Sequence, residues 1–297
     1  MKERSGCIFK HSQREEKMKQ FVCCIFLILI SVYSVQAQEQ ADQEIFDEFM
    51  NYAASENLAE KATGERIAAI ARFFLETPYK GCTLEAEGPE RLQVNLRELD
   101  CTTLVENVIA LHLTFEAQTK DFDTFKNKLT LIRYRNGLID GYPSRLHYTT
   151  DWLLNNKEKG LIKIVCLGRK VESFPINVNF MSTHPETYPA LQNAPEYVKA
   201  MAAHEDRINQ QSLKYLPKEK VGSGQKCIRT GDIIAVTTNL KGLDFSHLGI
   251  AVVGKDKQIY LLHASSSGKK VIISQTNLKK YLSDIKKHTG IVVARPL

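Results

Sequence analysis

Hydrophobic residues recur with helical spacing through the first half of the chain and with strand spacing through its last third. From Asp42 onward, Ile45, Phe46 and Phe49 suit one amphipathic helix. Ile67, Ile70, Ala71 and Phe74 suit a second, entered at Thr63 or Gly64. Leu92–Leu96 (LQVNL) alternates and predicts a short strand. Asp100 then precedes Leu104, Val105, Val108, Ile109 and Leu111, a helix with a good N-cap, and Phe122–Tyr134 predicts another. Residues 135–230 mix a loop (YRNGLIDGYPSRLHY), a helix over Thr149–Asn156, a strand over Ile162–Cys166 and a helix over Glu196–Gln211. Asp232–Thr237, Leu248–Val253, Gln258–His263, Val271–Ser274 and Ile291–Arg295 all read as strands, separated by Gly, Lys and Asp turn chemistry. Helices first and strands last, with no strand–helix–strand alternation, predict an α+β fold on an antiparallel sheet.

The N-terminal segment changes what is counted. Phe21–Ser31 (FVCCIFLILIS) is short for a membrane span, follows Lys17 and Lys19, and precedes the small-residue site Val35-Gln36-Ala37. It reads as a secretory signal peptide, with Met18 the more natural initiator after a charged leader. Cys23 and Cys24 open the apolar run, which fits no lipid-attachment pattern. Residues 38–297 are then expected to be exported as a single domain. With 43% hydrophobic and 25% charged residues, the chain has ample material for a core and is not a disordered tail. Residues 1–37 hold six of its 40 basic and three of its 34 acidic side chains, so the remainder carries a net charge of +3. That is too little to indicate nucleic acid or an anionic membrane as partner. Four cysteines remain (Cys82, Cys101, Cys166 and Cys227), too few for a disulfide scaffold.

Cys101 stands out by position. On the first turn of an apolar helix capped by Asp100, free N–H groups and the positive dipole end favour thiolate, and the expectation is a depressed pKa. On position alone, a small buried residue opening a helix is the favoured reading, since cysteine is usually buried and inert. His247 opens HLGIAVV and His263 closes QIYLLH, with GKDK between them. With residues 254–256 as the loop, the two stand directly opposite on an antiparallel pair, on one face, within hydrogen-bonding reach. Gly249 and Ala251 on that face leave room for another element. A loop of even length would break the relation. Metal chemistry fares worse: His204-Glu205 lacks a second histidine at Ile208, and His147, His184 and His204 are scattered. GxSxG and phosphate-loop patterns are absent, and Arg133, Arg135, Arg145 and Arg169 are spaced like a solvated surface.

Thr77-Pro78-Tyr79, Asp100-Cys101-Thr102-Thr103, Gly231-Asp232-Ile233-Ile234, Ser246-His247-Leu248-Gly249-Ile250 and His263-Ala264-Ser265 resemble, in order, the motifs of NlpC-type papain-like cell-wall hydrolases. NLRELDCTTLVEN, SRLHYTTDW, MSTHP, GLDFSHLGIAV and LLHASS are similar to one branch, the N-acetylmuramoyl-L-alanine amidase-like group. The resemblance covers roughly Ala41–Leu297. It departs from the short NlpC-type enzymes in the 129 residues between Cys101 and Gly231, an excess assigned to residues 116–225 and expected to wall the cleft. Cys82 stands where related sequences often carry glycine.

The resemblance implies a papain-like fold and a mechanism in these positions. Cys101 would attack an amide carbonyl, His247 would move the proton to the leaving amine, and His263 would fix the tautomer of His247. Backbone N–H groups at the helix start, with the Tyr79 hydroxyl, would stabilise the oxyanion. Arg145, His147, Trp152 and Ser182 are candidates for gripping sugar or peptide carboxylate; loop anchoring by Arg145 and a core position for Trp152 weigh equally. The implied partners are peptidoglycan fragments, including anhydro-sugar-ended muropeptides, met by a periplasmic monomer with no cofactor or metal. An endopeptidase cutting within the stem peptide is the first alternative, and a non-enzymatic wall-binding module the second.

Overall fold

A computed structural model of the chain describes residues 36–86 and 88–297. The predicted leader and signal peptide, residues 1–37, therefore lie outside the described residues except for Gln36 and Ala37. The chain divides into two compact units, residues 1–45 and 46–297. Residues 36–45 of the first are helical. All other elements belong to the second.

That unit opens with α1 (46–55) and α2 (Thr63–Phe73), where the helical spacing placed them. The helix α3 (Cys101–Glu116) starts sharply because the Asp100 carboxylate accepts the N–H groups of Thr102 and Thr103, while the Thr103 hydroxyl accepts the N–H of Asp100. Such a capping box satisfies donors the first turn would otherwise leave orphaned, worth about 1 kcal/mol. Every residue from Thr103 to His112 is buried, so α3 is a central helix rather than an amphipathic one. Its buried Glu106 is met at 2.7 Å by Arg133 at the end of α4 (Phe122–Arg133). Arg133 also donates to the carbonyl of Gln93.

That last bond shows why LQVNL is not a strand. Arg91, Gln93 and Asn95 give their carbonyls to the side chains of Tyr134, Arg133 and Asn107, and the Asn95 side chain caps the backbone of Arg97 and Glu98. Helix side chains have taken the acceptors a ladder would use. The alternation was real, but its partners are not strands.

The described strands form one eight-stranded antiparallel sheet. They are β1 (Ile162–Ile164), β2 (Glu172–Ser173), β3 (Lys214–Pro217), β4 (Ile233–Thr238), β5 (Phe245–Val253), β6 (Ile259–Ser265), β7 (Lys270–Ile273) and β8 (His288–Pro296). The order is β2-β3-β8-β4-β5-β6-β7, with β1 also on β8. On one face Ile234, Val236, Ala251, Leu261, Ile291 and Val293 pack with Leu278 and Leu282 of a helix the sequence reading did not find, α7 (Leu278–Asp284). The buried side chains of α3 do not join that cluster; α3 lies across the other face of β5 and β6. At the start of β4, Gly231 (φ +86°) passes α2 so closely that a Cβ there would lie 2.2 Å from the Gly64 carbonyl oxygen. Only glycine fits such an approach.

Residues 116–225 are part of the sheet and its flanking helices. They supply β1, β2 and β3, which extend the sheet beyond β8, together with α4, α5 (Thr149–Glu158) and α6 (Pro195–Asn209). They also have a core of their own, in which Tyr142, Tyr148, Val178, Met181, Leu191, Met201 and Ile208 are buried together.

Candidate active site

The register between β5 and β6 differs from the sequence expectation in an instructive way. Ile250 pairs with Leu262 and Val253 with Ile259, so His263 falls opposite Gly249 and not opposite His247. The loop is five residues long, closed by Gly254 and Gln258, with Lys257 in the left-handed region at φ 62°. An odd loop longer by two slides the pairing by two positions, which keeps each side chain on its face. The histidines are therefore diagonal neighbours, and they still meet: His247 Nε2 lies 2.7 Å from His263 Nδ1, with the rings perpendicular at 87°. The room beside Gly249 is not taken by a separate element either. It is filled by Leu261, whose Cδ1 would lie 2.7 Å from a Cβ at that position.

Cys101 is brought to β5 at Leu248, the residue that follows His247. Ala251 N–H bonds to Asp232 on the β4 side, so the even residues of β5 point their N–H groups toward β6. The β5–β6 ladder ends at Ile250–Leu262, and beyond it the N–H of Leu248 points to the Cys101 sulfur instead of to a strand. The Thr102 hydroxyl and the N–H of Cys101 itself also aim at that sulfur. Tyr79 is brought to the same place by backbone: it bridges Leu99, the residue two before Cys101, and donates its N–H to Lys269. Its phenol feels Cys101 and Asp100, and burial with those charges raises its pKa.

The electrostatics overturn one expectation. Burial, reinforced by the Asp100 carboxylate, pushes the Cys101 thiol up to about 11, against the donors that favour thiolate. The helix terminus is present, but desolvation outweighs it. The histidines shift the same way toward neutrality. Burial holds His263 down at about 4, and burial with neighbouring positive charge holds His247 well below its usual value. Tyr281 on α7 packs beside both rings, at 5.4 Å from His263 and 6.3 Å from His247. At neutral pH the site rests as thiol, imidazole and phenol.

The remaining candidates are elsewhere and differently employed. Arg145 is 4% exposed, and its guanidinium donates to the Leu84 carbonyl and to Glu85, with Glu90 at 3.6 Å. His147 Nε2 lies 2.9 Å from the Tyr142 carbonyl oxygen, and Trp152 is 2% exposed. Arg145 thus ties the insertion to Leu84, Glu85 and Glu90, and Trp152 takes a core position, the alternatives that weighed equally for these two residues. Ser182 lies on a single helical turn, Phe180–Thr183, and its N–H donates to Glu205 while its hydroxyl turns back to Asn179. Tyr148 shares that clamp, donating to Glu205 at 2.6 Å and accepting from Met181 N–H. Cys82 adopts φ 60°, which explains glycine's suitability at its position. It is exposed and free, as are Cys166 and Cys227. Among the described residues, no group of three His, Cys, Asp or Glu converges as a metal site, and no helix is long and apolar enough to cross a membrane.

Asp244 is the residue that sequence reasoning missed. It is buried between β4 and the histidine strand, and its carboxylate accepts the N–H of Thr150, at the start of α5, at 2.7 Å. A helix in the insertion is thus capped from 94 residues away. The only signal was the uncapped start of the Thr149 helix together with the acid in GLDFSH.

Comparison with known proteins places the chain in a family. A family model described as AmiA-like, N-acetylmuramoyl-L-alanine amidase-like, matches residues 69–291. A Bacteroides uniformis N-acetylmuramoyl-L-alanine amidase structure is 42% identical at a TM-score of 0.75, over 79% of this chain and 99% of that one. A Bacteroides fragilis structure called a xylanase is 44% identical at 0.72, over 77% and 99%. A Legionella pneumophila structure, 23% identical at 0.65 over 89% and 97%, shares the fold. Among curated proteins no match is found. A sulfur held at the N–H following a strand histidine, and a family match spanning every motif from the start of α3 to the last strand, lead to one assignment: the chain belongs to the N-acetylmuramoyl-L-alanine amidase-like family.

Proposed function

We propose that this chain is a cysteine amidase with a papain-like, NlpC-type catalytic arrangement. It would be exported to the periplasm and hydrolyse the amide between N-acetylmuramic acid and L-Ala in peptidoglycan fragments. The observation that carries the reading is the Cys101 sulfur at the Leu248 N–H, next to a histidine whose Nε2 is already engaged by a second histidine.

That engagement ties the tautomer of one ring to that of the other. If His247 carries its proton on Nε2 and donates it to His263 Nδ1, the Nδ1 of His247 is left as the base. The thiol proton passes to that nitrogen as sulfur bonds to the lactyl carbonyl carbon. The oxyanion meets N–H groups at the start of α3 and the Tyr79 hydroxyl. The imidazolium then protonates the L-Ala nitrogen as the C–N bond breaks, and the peptide leaves. Water, deprotonated by the same imidazole, hydrolyses the thioester and restores the thiol. The Phe180–Thr183 turn rests on the loop before β5, with Phe180 N–H donating to Gly242, which suits an insertion that bounds one end of the groove. A bounded groove would favour small released muropeptides, including anhydro-ended ones, over intact sacculus.

Two muropeptides differing only in the presence of the sugar test the reading by mass spectrometry of their products. Free stem peptide from the sugar-bearing one, with the other untouched, is expected. Cleavage within both stems would make the enzyme an endopeptidase, and binding without cleavage would make it a wall-binding module. Cys101→Ala should abolish turnover, and His247→Ala should cost roughly 10²–10⁴-fold, the share of general acid–base catalysis.

A further inference from the structure

On the side of the histidine pair served by α7 lies a cavity of about 530 Å³, a size suited to a small ligand. His247 and His263 form part of its wall, so its occupant touches the proposed base and the residue that orients it. Ile272 and Ile285 supply apolar wall, and the remainder is mostly polar, with hydroxyls from Ser265, Ser267 and Thr276 and two charged side chains, Asp284 and Lys287. Asp284 is already paired, accepting from Lys280 at 2.9 and 3.1 Å. Lys287 has no carboxylate within ion-pair distance among the described residues, and its charge is felt by both His247 and His288. A hydroxyl-lined cavity with one unopposed cation is complementary to a carboxylate.

We propose that this cavity binds a carboxylate of the peptide half of the substrate, and that Lys287 is the residue that pairs with it. The inference rests on the amidase reading, in which the two halves of the substrate differ in charge. The N-acetylated sugar is neutral once its lactyl group is in amide linkage, whereas the peptide carries free carboxylates. An anion-selecting subsite beside the histidine pair therefore belongs to the peptide. Arg145, the cation that the sequence offered for this task, is enclosed with Glu85 and Glu90, and Lys287 is exposed at the cavity. An anion there would also offset the positive charge that Lys287 places near His247.

N-acetylmuramoyl-L-Ala-D-Glu with free carboxylates and its diamide are the probes. Calorimetric titration into Cys101→Ala protein reads binding without turnover. The acid should bind up to about fivefold tighter than the diamide, the range of an exposed charge pair. Lys287→Met should erase that difference, and Lys287→Arg should retain it. Equal affinities with Lys287 present, or a preference that survives Lys287→Met, would overturn the assignment. Because Lys287 is exposed, an unchanged melting temperature verifies that the variants are folded. Cleavage by the wild-type enzyme separates the two ideas: sugar–L-Ala cleavage without charge preference removes only the subsite. Charge preference with no cleavage at that bond removes the amidase reading and leaves an anion site.

Discussion

His263→Gln should make the protein less sensitive to acid, and the structure sets the size of the effect. His263 is 4% exposed, and burial lowers its pKa from 6.5 to about 4. The folded state therefore refuses a proton that the unfolded chain accepts. Stability from this group is fully present above the unfolded value and falls as pH drops through the folded one. Integrated from about pH 7.5 to about pH 5, the linkage amounts to about 2 kcal/mol. His288, also lowered to about 4, and His247 act in the same sense, so the wild type should lose more than this single share. Glutamine keeps a side-chain acceptor for His247 and removes the titration. Urea unfolding followed through Trp152, the single tryptophan and a buried one, gives stability at both pH values. The acid-induced loss should be smaller in the variant by about 2 kcal/mol. An identical loss in the two proteins would mean that His263 is protonated equally in both states, and the account of a dry, neutral histidine pair would fail.

Two further outcomes follow from burial and capping. At neutral pH, iodoacetamide should label exposed Cys82, Cys166 and Cys227 before Cys101, whose rate should climb only as pH approaches its value of about 11; peptide mapping across a pH series reads this. Asp244→Ala leaves the N–H groups of Thr150 and Phe245 without their acceptor and should cost about 1–3 kcal/mol in urea unfolding, with Asp244→Asn costing less because it retains an acceptor oxygen.

What was legible in the sequence is what local chemistry decides. Asp100 followed by Thr103 specifies a helix start whatever packs around it, and the first residue of that helix is Cys101. Parity along β5 and β6 survived a wrong loop length, because a two-residue slip leaves His247 and His263 on one face. Long-range capture was not legible. Asn107, Arg133 and Tyr134 take the carbonyls of 91–95, and the sequence does not say that helix side chains will reach them before a strand does. The same holds for Asp244, whose partner is 94 residues distant. Arg145 kept two readings open for a related reason. A polar residue in a motif looks the same whether it meets a ligand or a buried carboxylate, and only the Glu85 and Glu90 contacts distinguish the cases.

The neutral resting site bears on how the proposed chemistry would be driven. A thiol raised by burial is a poor nucleophile in isolation, and a depressed imidazole is a weak base, so proton transfer between them is uphill in the free protein. What favours it is already in place around the sulfur: the Leu248 N–H, the Thr102 hydroxyl and the N–H of Cys101 all point at the atom on which negative charge develops. Fixed dipoles in a dry site act more strongly than in water and need no reorientation during the reaction. The end of the β5–β6 ladder therefore has a consequence for the sulfur. Stopping at Ile250–Leu262 frees a backbone donor in a rigid strand and aims it at Cys101, next to the histidine that would take the proton. Pairing Leu248 with β6 would satisfy the same N–H and remove the donor, so in this fold the broken ladder and the site are one feature.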